Sequence, residues 1–367
     1  MPEEKGGFES AYKLLIVFFI GIVIGWNLIF IFLKSMGFTT LEMLVFVVST
    51  YATFLALSMI IKKLDSNLSI KISLAVRGSS FLLLVMVFSP VQIYLAGMLV
   101  GAITLFYWIP FNIKSNNAMQ KEESAFKNGL ISVVSPMLTA VATLAGAGFA
   151  EHFGYHLLFV SAAFMMVLAY FYVDKTGSSF KINLDPAKGL ESVKPIRSLF
   201  LLQGFWEGIF WFAVPIITLS FTSSITVFGA FLTYVAIFGV AATLLVTRIS
   251  DQKRNRKSFI LPIFFLTAIF MIASYFTTDF LTWSIVNSGI AFFAAMMSPF
   301  MGALVKDKLE DLHNGIFGRE ILLNAGRLAG CMAMAIALLL ENFKASLVIA
   351  AMPLLIYIIV ILRKKIY

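Results

Sequence analysis

Glu207 is the only carboxylate deep inside an apolar stretch of this 367-residue chain, and the stretch is long enough to cross a bilayer. Nine residues into the block 198–219, at about 1.5 Å per helical residue, it lies about 14 Å from the block's start, near mid-membrane. Dehydration there disfavours the charged form of a carboxylate, which suits a group that takes up and releases a proton. Arg327 lies eight residues into the block 319–341, which runs in the same direction, so its depth of about 12 Å nearly matches. Two readings stay open: a coupling or solute-binding pair, as intramembrane ionisable groups usually are, or a fixed structural ion pair. Gln203 shares a helical face with Glu207, and Glu320, Asn324 and Arg327 follow one another at i, i+4 and i+7. Such polar stripes must face protein or a cavity.

Apolar blocks at 13–33, 40–61, 70–88, 91–113, 129–149, 155–173, 198–219, 225–247, 258–276, 280–304, 319–341 and 344–362 read as the helices that carry these groups. The chain is 60% hydrophobic and 13% charged, against about 45–50% and about 25% in soluble domains. Lipid is therefore the expected solvent, and an all-α membrane protein the expected class. Twelve crossings put both termini on one side. Every Lys and Arg except Lys34, Lys344 and Arg327 falls at the termini, in loops of that side or toward the helix ends that meet them, so the positive-inside rule makes it cytoplasmic and the membrane the cell membrane. The formal charge of +9 is then an orientation signal, and no nucleic-acid partner is expected. Cys331 is the sole cysteine, which excludes an intrachain disulfide. The first block has no cleavage-like site after it and is expected to stay as a helix.

The longest connection, 174–197, holds Gly177, Ser178, Ser179, Pro186, Gly189 and Pro195 and reads as a cytoplasmic linker between six-helix bundles at 1–173 and 198–367. Sliding the first half onto the second sets Trp26 on Trp211 and Tyr107–Trp108 on Phe292–Phe293; one residue further, Asp65 falls on Asp251. This fits two parallel repeats about an axis along the membrane normal.

The loop after the second block, Lys62-Lys63-Leu64-Asp65-Ser66-Asn67 through Lys71, and the one after the eighth, Arg248 through Asp251 to Lys257, resemble the paired loop signature of the major facilitator superfamily. The aspartates stay and the signature's glycines do not. Ser132, Ser135, Pro136, Thr139, Ala140 and Gly146 are similar to a degraded form of the family's helix-5 antiporter signature. The resemblance covers essentially the whole chain. It implies the family's fold, no cofactor, a monomer, and a cavity lined by helices 1, 4, 7 and 10. On that basis Trp26, Asn27, Tyr107, Trp108, Asn112, Trp206, Trp211, Trp283 and Asn287 join Glu207 and Arg327 as candidate cavity residues, each aromatic being equally readable as packing. Asp65 and Asp251 read as cytoplasmic gates, with Arg77 able to reach Asp65 by snorkelling.

Other patterns carry little. His152 and His156 straddle Gly154 in an external turn, Gly146 and Gly148 follow no strand, and the sequon at Asn67 lies on the cytoplasmic side, so neither a metal nor a nucleotide site is expected. No set of nucleophile, base and orienting group can be assembled from these helices, and no enzyme activity is expected. The expected function is secondary active transport by alternating access, coupled to protons. The aromatic wall favours efflux of a hydrophobic or cationic compound; uptake of a sugar, peptide or organic anion is one alternative, and a receptor or accessory subunit that kept the fold is another.

Overall fold

Lipid cannot hydrogen-bond a peptide group, so apolar blocks must pair their own backbone as helices. The computed structural model describes residues 7–117, 124–252, 257–308, 311–340 and 342–364 and consists mainly of long helices. The first crossing is α1 (Gly7–Trp26) and α2 (Ile29–Ser35), interrupted at Asn27–Leu28. Next come α3 (Thr40–Ile60), which opens on a capping box between Thr39 and Glu42, the strand β1 (Lys63–Asp65) and α4 (Ser66–Val85). The fourth crossing joins α5 (Pro90–Ile103), a π-helical turn at Thr104–Trp108 and α6 (Ile109–Asn117). α7 (Ser124–Tyr172) holds two crossings parted at Gly154, whose φ of 82° only glycine adopts readily.

A linker with β2 (Lys181–Asn183) and α8 (Pro186–Ser192) leads to α9 (Arg197–Phe221), α10 (Ile225–Gln252), α11 (Lys257–Ala273), α12 (Phe280–Lys308), α13 (Leu312–Leu339) and α14 (Ala345–Lys364). Ten segments among the described residues are long and apolar enough to span a bilayer. One of them, Val133–Thr176, contains the break at Gly154, and Ile260–Phe276 is a shorter apolar helix; these supply the remaining crossings of a twelve-helix membrane protein.

Two boundaries differ from the hydropathy reading because caps, not hydrophobicity, set them. α4 begins at Ser66 rather than 70, since the Asp65 side chain accepts from the Leu68 N–H, and α13 begins at Leu312 rather than 319, with Asp311 accepting from the Asn314 N–H. The linker is also more ordered than its composition implied. β1 and β2 pair antiparallel, Lys63 opposite Asn183 and Asp65 opposite Lys181, while Leu64 and Ile182 turn inward. They join Phe54, Leu105, Ile109, Ile113 and, from α13, Ile316, Phe317 and Ile321 in an apolar cluster that ties α3, the fourth crossing and α13 together.

Helices on either side of the linker also touch at the opposite end. The Lys34 ammonium donates to the Leu219 carbonyl, the Thr226 hydroxyl to Glu151, and Gly229 packs on Ala147.

Candidate functional site

Close approach of α9 and α13 makes the site. Gly204 and Gly208 face Gly326 and Gly330, small residues four apart on each helix. A Cβ at Gly204 would stand 2.0 Å from the Leu323 carbonyl oxygen, one at Gly208 2.2 Å from that of Arg327, one at Gly326 2.3 Å from that of Leu201, and one at Gly330 2.2 Å from that of Phe205. Backbones this close bring the neighbouring side chains of both helices together in lipid. Glu207 and Arg327 flank this seam.

Arg327 donates to one carboxylate oxygen of Glu207 through Nη2 at 2.6 Å and Nε at 3.0 Å, and the Gln203 amide donates to the other at 2.8 Å. Glu207 is 8% exposed. Beyond the pair, Asn324 donates through Nδ2 to the Glu320 carbonyl at 2.8 Å, and Arg319 donates to the Glu320 carboxylate at 3.0 Å. All five residues of the central candidate set thus lie along one polar stripe. Tyr51 on α3, not anticipated from sequence, faces Arg327 with its ring 6.0 Å from the guanidinium carbon, so the stripe meets a helix from before the linker. The polar atoms buried without a partner among the described residues include Gln203 Oε1, Trp206 Nε1 and Tyr107 OH. Buried polar atoms are normally satisfied, so these are places for water or a solute to bond.

The wider candidate set divides. Tyr107 is fully buried, stacked on Phe18 at 3.9 Å and on Phe111 at 5.4 Å, with Trp108 edge-on to Phe18. Asn112 is half-buried on α6, one turn beyond Trp108. Asn27 donates to the Thr143 hydroxyl at 2.9 Å and braces the break between α1 and α2 against α7. Asn287 is fully buried on α12 with neither amide atom paired among the described residues. Trp211 is 60% exposed on α9, four residues after Glu207. Trp283 is packing, its Nε1 donating to Thr218 at 3.0 Å and its ring stacked with Phe221 and Phe231.

Among the gating candidates, Asp65 caps α4 and accepts from Ser179 of the linker. Those two hydrogen bonds, the Ser179 hydroxyl first, hold its carboxyl below the usual carboxylate range. Asn67 donates to the Gly177 carbonyl and accepts from Lys114, so this corner binds the linker to α4 and α6. Arg77 does not reach Asp65. Its guanidinium sits against Trp26 at 4.7 Å and Phe81 at 4.6 Å inside the bundle, because it lies on the buried face of α4 more than three turns beyond Asp65. Asp251 ends α10, and its side chain lies outside the described residues. His152 bonds the Gly148 carbonyl of its own helix at 2.8 Å.

No family model matches the chain. Over 300 residues it is 24% identical to YqgE, an uncharacterised protein of Bacillus subtilis strain 168, covering 75% of this chain and 69% of that one. The crystal structure of the E. coli fucose:proton symporter FucP overlays on 98% of this chain and 99% of its own with a TM-score of 0.69, at 12% identity. The chain is a multi-pass membrane protein. Its fold is that of the major facilitator superfamily.

Proposed function

We propose that the protein is a proton-coupled secondary transporter that moves a small polar solute by alternating access, with Glu207 as the coupling carboxylate. The two halves, 1–173 and 198–367, rock about the linker in the cell membrane, with both termini cytoplasmic, and the protein works as a monomer. The buried Glu207–Arg327 pair carries this reading, because Arg327 also faces Tyr51 across the division between the halves. With Glu207 ionised, Arg327 is held on its own half. A proton taken up by Glu207 cancels that attraction and frees the guanidinium to swing toward Tyr51 and a bound solute. The two states then differ in a contact between the halves, which is what a ligand needs to bias a conformational equilibrium.

The unpaired Gln203 Oε1 and Trp206 Nε1 beside the pair favour a solute bearing hydroxyl or amide groups, and hence uptake with protons. Trp283 is spent on packing, which takes one ring from the aromatic wall that favoured efflux of cationic or hydrophobic compounds.

Proteoliposomes carrying a trapped pH dye test the reading. Sugars, polyols and amides are expected to drive inward proton flux, and cationic amphipaths none. Flux with amphipaths alone reverses the direction and solute class. A folded protein that gives no flux with any of them favours the accessory-subunit alternative.

A further inference from the structure

Arg77 stands apart from everything described for the Glu207 site. It is 2% exposed at the middle of α4, and among the described residues its guanidinium makes neither an ion pair nor a hydrogen bond, with Nε fully enclosed. Every described carboxylate between residues 7 and 176 is engaged elsewhere. Glu9 pairs with Lys13, Glu42 closes the cap on Thr39, Asp65 holds Leu68 and Ser179, Glu151 accepts from Thr226, and Asp174 pairs with Lys71. A guanidinium stays charged inside proteins, and an isolated buried cation costs more than two ring contacts return. Trp26 and Phe81 supply those two contacts.

Serine hydroxyls share the buried face of α4 with Arg77. Ser73 and Ser80, one turn to either side on the same buried face, spend their hydroxyls on carbonyls of their own helix, at 2.7 Å each. Rotation about χ1 turns either hydroxyl from its carbonyl toward a ligand at the guanidinium. The group that completes such a set is a small anion.

We infer that Arg77, with Trp26, Phe81, Ser73 and Ser80, forms a binding site for one monovalent anion, a halide or a carboxylate, inside the first six helices. Bound there, the anion supplies the counter-charge that the described residues do not. The site is separate from Glu207 and does not depend on proton coupling.

Bromide titrated into detergent-purified protein, replacing methanesulfonate at constant ionic strength, tests this directly. An ion on the guanidinium lies against the Trp26 ring and quenches its emission. The quenching is expected to saturate, and the saturable part to vanish in Trp26→Phe, which leaves the other four tryptophans. Arg77→Gln is expected to weaken binding about 10- to 100-fold, the loss of charge-assisted hydrogen bonds. Arg77→Lys keeps the cation and loses less. Quenching of wild type that never saturates overturns the site, as does a saturable component unchanged in folded Arg77→Gln. Should Arg77→Gln not fold, stoichiometric binding of radiolabelled chloride to wild type decides, its absence being contradictory. Displacement of bromide by chloride but not by acetate or lactate identifies a free halide. Displacement by small carboxylates that liposomes also exchange identifies the carboxylate of the solute. Displacement by neither contradicts the proposal.

Discussion

Replacing Arg327 with methionine leaves the Glu207 carboxylate with one of its three hydrogen bonds, that from Gln203. The methionine nearly preserves volume, so the perturbation is chiefly electrostatic. Glu207 is 8% exposed and its partner's side chain 21%. That places the pair with buried bridges, where removing one partner costs about 3–5 kcal/mol, and not with surface pairs at about 0–1 kcal/mol. Unfolding in mixed micelles, followed by circular dichroism, should show Arg327→Met destabilised by about 3–5 kcal/mol. Glu207→Gln combined with Arg327→Met should recover most of the loss, because neither charge is then stranded. A single-variant cost below about 1 kcal/mol, or a double variant as unstable as Arg327→Met, refutes the pair as a buried, mutually dependent unit.

Three further outcomes follow from the same geometry. Gly208→Leu should separate α9 from α13, since even a Cβ would stand 2.2 Å from the Arg327 carbonyl oxygen; a cost of about 1–3 kcal/mol or more and loss of solute-driven proton flux are expected from unfolding curves and liposome assays. Trp283→Phe should cost about 0.6 kcal/mol for the lost bond to Thr218 and leave solute affinity unchanged, whereas Trp206→Phe should weaken solute binding in a competition assay. Asp65 has a lowered carboxyl, so its contribution is present above the unfolded value of about 3.9 and is lost as pH falls through the folded one. Hydrogen exchange at the linker amides Phe180 and Leu184, which bond Ser66 and Lys62, should therefore rise below about pH 4 in wild type and already at neutral pH in Asp65→Ala.

The crossings were legible because membrane thickness sets a length that hydropathy reads directly, and the break at Gly154 because glycine alone tolerates its φ. Glu207 and Arg327 stood out for the same reason, as charges in lipid at matched depth. The β1–β2 pair was not legible. Lys63 and Asn183 are brought together by the packing of helices between them, and three-residue strands carry no periodicity of their own. Arg77 was misplaced for a related reason: snorkelling toward Asp65 assumed an exposed face, while α4 turns that face into the bundle. The glycine seam was readable as two small-residue pairs four apart, Gly204 with Gly208 and Gly326 with Gly330, but only the contact between α9 and α13 makes them partners. Rotation about a helix axis, which leaves Trp211 exposed and buries Trp206, depends on neighbours and not on depth.

The measurement that bears most directly on the proposed coupling compares wild type with Glu207→Gln in the same liposomes, for a solute that drives proton flux. Two modes are read: exchange of labelled for unlabelled solute without a gradient, and uphill accumulation driven by a pH gradient. The account predicts that Glu207→Gln keeps exchange, since an amide still bonds its neighbours, and loses gradient-driven accumulation. Accumulation at the wild-type level in that variant would contradict it and leave Glu207 a structural anchor for Arg327.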